Sequence, residues 1–113
     1  MSDCLFCRIV AGDVPATIVR DSARTLAFRD IAPQAPTHVL VIPKEHYDDL
    51  PALTATDLDL AAQLLHDAHR VAAAEGLVET GYRLVINTGR DAGQTVPHVH
   101  VHVLGGRALG RLG

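Results

Sequence analysis

Residues 98–104 read His-Val-His-Val-His-Val-Leu, and this run constrains the fold more than any other part of the chain. In an extended strand successive side chains point to opposite faces. The alternation therefore sets His98, His100 and His102 on one face and Val99, Val101 and Val103 on the other. The valine face suits burial against a helix. The histidine face must line a surface or a cleft, because imidazole nitrogens need polar partners. With seven His in 113 residues, such a spacing arises by chance with a probability of about 0.03 on composition alone. A merely solvated edge strand would be served as well by Lys or Thr, which avoid three imidazoles that repel when charged together.

At 113 residues the chain is read as a single domain, 1–113, large enough to sustain a core without disulfides. An apolar content of 48% with only 4% aromatic residues and no Trp predicts a core of Val, Leu, Ile and Ala. The net charge of −3, with no basic run, argues against a nucleic-acid polymer as partner. The apolar stretches fall far short of the ~20 residues that span a membrane. Met1-Ser2-Asp3-Cys4 lacks the basic start and apolar core of a signal peptide, so the expected setting is cytoplasmic.

Local patterns place the elements. Leu5, Phe6, Ile9 and Val10 recur at helical spacing and stop at Gly12, predicting a short helix over 4–11. Residues 17–19 and 25–28 form a hairpin around Arg20-Asp21-Ser22. Residues 31–36 hold two prolines and read as a loop, and 37–42 as a buried strand stopped by Pro43. Thr54-Ala-Thr-Asp57 reads as a capping box opening one long helix. Leu58, Ala61, Ala62, Leu65, Ala68 and Ala72 are its expected inner stripe and Gly76 its stop. Residues 82–87 and 98–104 are two further strands. The sum is an α+β domain: a five-stranded, mostly antiparallel sheet with one long helix and a short N-terminal helix.

The histidine strand admits two chemistries. Alternate His can chelate zinc directly and leave a position for a metal-bound hydroxide, with His98, His100 and His102 as ligands. Alternatively the middle His is a nucleophile toward phosphorus, tuned by its neighbours. The preceding segment, Asn87-Thr-Gly89-Arg-Asp-Ala-Gly93-Gln94-Thr95-Val96-Pro97, favours the second. Glycine-freed N–H groups and a Thr hydroxyl beside the histidines can cradle a phosphate, and the absence of a Walker signature limits them to one. At the other end of the chain, Cys4 and Cys7 have the spacing of half a tetrahedral zinc site, and no strand precedes them as a redox pair would need.

Gly93-Gln-Thr-Val-Pro-His98-Val-His100-Val-His102-Val-Leu-Gly-Gly106 resembles the signature of the histidine triad (HIT) family. Phe6-Cys-Arg-Ile9, Ala27-Phe28-Arg-Asp30-Ile31, Pro33 to Lys44 and Gly81 to Asn87 are similar to successive blocks of its Hint-type branch. The resemblance implies a nucleotide hydrolase or transferase acting at the α-phosphorus of purine mononucleotide conjugates, typically adenosine 5′-phosphoramidate, with no organic cofactor. It implies His100 as the nucleophile, with His98, His102, His38 and Thr95 completing the catalytic set. Gly93, Gln94, Thr95 and Asn87 match phosphate-side contacts, Asp30 a ribose ligand, and Phe6, Ile9, Phe28 and Ile31 the base pocket. The family is commonly a homodimer with a continuous sheet. A register setting His38 opposite His102 and Ile42 opposite His98 would also bring His46 near His98, making Cys4, Cys7, His46 and His98 a structural zinc site. A third reading, from outside enzymology, is a nucleotide-binding interaction module with vestigial catalysis. His66 and His69 are assigned no role.

Overall fold

The β-prone runs assemble into one antiparallel sheet. Its strands are β1 (Ile18–Asp21), β2 (Thr25–Arg29), β3 (Thr37–Pro43), β4 (Tyr82–Val85) and β5 (Val101–Gly105), in the spatial order β1-β2-β3-β5-β4. This is a computed structural model, and it describes residues 3–112. Met1 and Ser2, on which the reading of a missing leader partly rests, lie outside those residues. The α+β class and the five-stranded sheet agree with the expectation.

Among the described residues three α-helices accompany the sheet. The short α1 spans Leu5–Val10, α2 spans Leu50–Thr56 and α3 spans Leu58–Ala74. Thr54 to Asp57 is not a capping box: Thr54 lies inside α2, whose own cap is Asp49 accepting from the Ala52 N–H. Asp57 instead closes α2 and caps α3, its Oδ1 accepting from the Leu60 N–H at 3.0 Å. The inner face of α3 is also rotated from the expected stripe. Leu60, Leu64, Ala68, Val71 and Ala72 are buried, whereas Leu58 and Leu65 are 68% and 47% exposed. The stripe that wins includes Asp67, an acid that sequence reasoning puts in water. It is buried because Thr25 Oγ1 donates to one carboxylate oxygen at 2.6 Å and Gln63 Nε2 to the other at 2.9 Å.

The sheet separates two apolar clusters. On one side Val39, Val41, Val99, Val101 and Val103 pack against Leu53 and the inner face of α3. On the other Leu40, Ile42, Leu26 and Phe28 pack against Phe6 of α1. β3 is buried on both faces, as its unbroken apolar run demands.

The β3–β5 register differs from expectation. Leu104 stands opposite His38, and His102 opposite Leu40. The cause is that β5 starts only at Val101, after a bend at residues 96–98, and pairs on through Gly105 opposite Thr37. The slip is two residues. Side-chain parity is therefore kept, and His38 still shares a face with His102.

Candidate functional site

The first consequence of that parity is a set of fixed hydrogen positions. His100 is buried, and its Nδ1 lies 2.7 Å from the His98 carbonyl oxygen. A carbonyl only accepts, so Nδ1 carries the hydrogen and Nε2 of the neutral ring keeps its lone pair. His38 runs the other way. The Gln34 backbone N–H donates to His38 Nδ1 at 3.0 Å, so the hydrogen of the neutral ring sits on Nε2. That N–H donates to His102 Nδ1 at 2.9 Å, with Asp30 Oδ2 at 3.4 Å from the same atom. His102 must then carry its own hydrogen on Nε2. One face thus presents a lone pair on His100 beside an N–H on His102.

Burial disfavours the charged forms of His102 and His38. It lowers His102 to about 4, with the nearby His100 and His38 adding to the effect. Burial also lowers His38, partly offset by the Asp30 carboxylate. His100 also packs against the Phe6 ring at right angles, with the centroids 5.1 Å apart.

His100 and His102 open on a cavity of about 370 Å³. Its walls include the expected Phe6, Ile9 and Phe28, with Asp30, Ile31 and Thr95 also bordering it. Ile31 is fully exposed, so it can wall a ligand only from the rim. Asp30 spends Oδ1 on the Ala32 N–H at 2.8 Å, which fixes its carboxylate. Leu40 and Val96 also line the cavity, and sequence reasoning had given them no part in the site. Their positions on β3 and just before the histidines were the only signal.

The glycine-rich segment forms a turn at Arg90–Ala92 between Gly89 and Gly93. Gly93 is left-handed at φ +82, a conformation that costs any side-chain-bearing residue. Gly93 and Gln94 do not reach the main cavity; they line a neighbouring cleft of about 560 Å³ with Asp48, Asp49 and Arg90. Thr95 borders both spaces. Asn87 lies two residues beyond β4, half-buried, and lines neither.

Cys4, Cys7, His46 and His98 converge from three separate segments, one donor atom each within 4.8 Å of the others. Cys4 Sγ and Cys7 Sγ lie 3.3 and 3.6 Å from His98 Nδ1. Cys7 Sγ is 3.3 Å from His46 Nδ1, and the two Nδ1 atoms are 3.2 Å apart. Tetrahedral zinc separates neighbouring donors by roughly 3.3 Å for two nitrogens and 3.6 Å for nitrogen and sulfur. The donor set therefore fits zinc in spacing and chemistry. Its surroundings fit too: His98 Nε2 donates to the Pro43 carbonyl at 2.8 Å, leaving Nδ1 to face the thiols. His46 Nε2 lies 2.7 Å from Asp48 Oδ1, the carboxylate–histidine pairing common behind metal ligands. Burial lowers His98 as well, favouring the neutral, ligating ring.

No comparable donor group unites His98, His100 and His102 among the described residues. Both ring nitrogens of His98 are committed elsewhere, and His100 Nδ1 is turned to a carbonyl. The direct zinc-hydrolase arrangement therefore finds no geometric support. A second cluster, Asp30, His38 and His102, has the spacing of a cation site. Its central atom, His38 Nε2, already bears the hydrogen, so it cannot also ligate while Gln34 holds Nδ1.

A family model for the HIT domain matches residues 11–109, nearly the whole chain. The chain belongs to the HIT family. Among HIT relatives, an uncharacterised HIT-like protein from Synechococcus elongatus is 51% identical over 95% of this chain and 93% of its own length. A purine nucleoside phosphoramidase from Escherichia coli is 42% identical, over 94% of this chain and 89% of its own. Among solved structures, a HIT family hydrolase from Legionella pneumophila superposes with a TM-score of 0.92 at 50% identity, covering 96% of both chains. A histidine triad protein from Clostridium difficile reaches 0.94 at 39% identity, over 100% of this chain and 98% of its own. Membership in a family with hydrolase members supports a hydrolase at that level. No helix among the described residues is long and apolar enough to cross a membrane.

Proposed function

We propose that this HIT protein hydrolyses purine mononucleotide conjugates at the α-phosphorus, adenosine 5′-phosphoramidate being the simplest, through a nucleotidyl intermediate on His100. The observation that carries the reading is the pairing, on one cavity, of a lone pair at His100 Nε2 with an N–H at His102 Nε2. The similarity to an E. coli purine nucleoside phosphoramidase supports the substrate class.

The chemistry follows from the hydrogen positions. His100 Nε2 attacks the phosphorus, a P–N bond forms, and the bond to the leaving amine breaks as the amine takes a proton from solvent. The ring becomes cationic, and its Nδ1–H bond to the His98 carbonyl strengthens because the donor is now charged. His102, held neutral, donates to a phosphoryl oxygen where negative charge accumulates. Water then attacks phosphorus, the P–N bond to His100 breaks, and the monophosphate and one proton are released. The base packs among Phe6, Ile9 and Phe28, Asp30 faces the ribose, and Thr95 stands at the phosphate. A volume near 370 Å³ lies in the usual range for a small-molecule site.

Zinc on Cys4, Cys7, His46 and His98 serves structure in this reading: it would tie α1 to the segment before β5. We further read the protein as a homodimer whose sheet continues across the β4 edge, which pairs with no strand among the described residues. The test is intact-mass analysis after mixing the protein with adenosine phosphoramidate or an acyl-nucleotide. A nucleotidyl adduct mapped to His100 is expected. Turnover with no adduct, unaffected by His100→Ala, would overturn the mechanism, and no turnover on any nucleotide conjugate would favour a binding module.

A further inference from the structure

Gln94 sits in the segment read as the phosphate cradle, yet its side chain is directed at the protein. Its Oε1 accepts from the Gly89 N–H at 2.9 Å. Its Nε2 donates to the Asp48 carbonyl at 2.7 Å and to the Val96 carbonyl at 3.1 Å. The amide's orientation is settled by those partners, since the flipped form would aim its oxygen at two carbonyls and its NH₂ at an N–H donor. Its own backbone N–H closes the same turn, donating to the Gly89 carbonyl at 3.1 Å. One residue therefore bonds both polar groups of Gly89, the start of the loop, and reaches across to residue 48.

The strap matters because little else holds this segment. Gly89, Arg90, Asp91, Ala92, Gly93 and Thr95 are all exposed, and two of them are glycines at positive φ. A loop with few buried contacts samples many conformations, and a ligand that needs one of them binds more weakly by the fraction populated. Asp48, the anchor outside the loop, also holds His46 through its carboxylate. The cradle is thereby braced against the loop that carries a metal-ligand candidate.

We propose that Gln94 is a positioning residue, whose side-chain amide holds the 89–95 loop in its phosphate-receiving shape without touching the nucleotide. The proposal rests on the nucleotide reading above. Removing the amide then affects the phosphate half of the ligand and spares the nucleoside half, whose walls are α1, β2 and β3.

The experiment compares wild-type protein with Gln94→Ala and Gln94→Glu by calorimetric titration with AMP and with adenosine, and by amide hydrogen exchange without ligand. Gln94→Ala is expected to weaken AMP about tenfold, the loss of one to two net hydrogen bonds, and adenosine less than twofold. Exchange across 89–96 should accelerate while α3 is unchanged. Gln94→Glu keeps the acceptor for Gly89 but turns an oxygen toward two carbonyls, so it should be no better than Gln94→Ala. A loss of AMP affinity with loop exchange unchanged would mean direct contact with phosphate and overturn the proposal. So would a parallel loss of AMP and adenosine, or no loss of either. If wild-type protein binds neither ligand, the nucleotide reading itself fails, and this proposal with it.

Discussion

At His100 the proposed reacting atom is defined by what the other nitrogen does. Because Nδ1–H is held by the His98 carbonyl, the lone pair of the neutral ring lies on Nε2, and in the proposed mechanism replacing the ring removes the nucleophile. His100→Ala should abolish turnover, by at least 10³-fold on the scale of lost nucleophiles (roughly 10³ or more). AMP affinity measured by titration should stay largely intact. His102 offers a pH test. Its folded pKa, about 4, lies below the ordinary 6.5 of an exposed imidazole, so the unfolded chain binds the proton first. Stability is therefore complete above about 6.5 and falls as pH drops toward 4, with His38 shifted in the same direction. Denaturant melts at pH 7 and pH 5 should show the lower midpoint at pH 5, and His102→Gln should narrow the gap. These roles were partly legible. Period-two spacing put the three histidines on one face, but nothing in a sequence names the carbonyls and N–H groups that choose each tautomer.

At the level of the elements, α3 and α1 tell opposite stories. The helical stripe of α3 was visible, yet the sequence holds two overlapping stripes, one through Leu58 and Leu65 and another through Leu60 and Leu64. Packing against the valine face selects the second, and the buried Asp67 hides it, because its Thr25 and Gln63 partners lie on another strand and another turn. Leu64→Ala should cost about 2–5 kcal/mol, whereas Leu65→Ala should lie within about 0.5 kcal/mol of wild type. Equilibrium unfolding of both variants decides between the stripes; equal losses would contradict the observed face. Helix α1 buries only Phe6, and its six residues are too few to be stable alone. If zinc occupies the proposed four-donor site, Cys4→Ser with Cys7→Ser should remove it, read by elemental analysis, and lower the melting temperature by several degrees. An unchanged metal content in that double variant would overturn the ligand set.

For the molecule as a whole, the sheet order places the two sequence-distant halves of the site side by side. His38 and His102 are adjacent because β3 pairs with β5, as the expected register supposed, but the actual register needed the bend at 96–98 that no residue pattern announced. The same order leaves β1 and β4 as edges. If β4 continues into a second copy, small-angle scattering at micromolar concentration should report twice the monomer mass; a particle of monomer mass would refute the dimer.

The direction of the hydrogen-bond relay from residue 34 to His102 begins at a main-chain atom. Every amino acid except proline supplies that same N–H. An alanine scan of the 31–36 loop would thus pass over the group that sets the polarity of the His100–His102 face, and would score Gln34 as dispensable. Only Gln34→Pro, or an ester in place of that amide, would release His38 to turn its hydrogen around. The site's proton wiring is, in this sense, written in the backbone and shielded from most single substitutions.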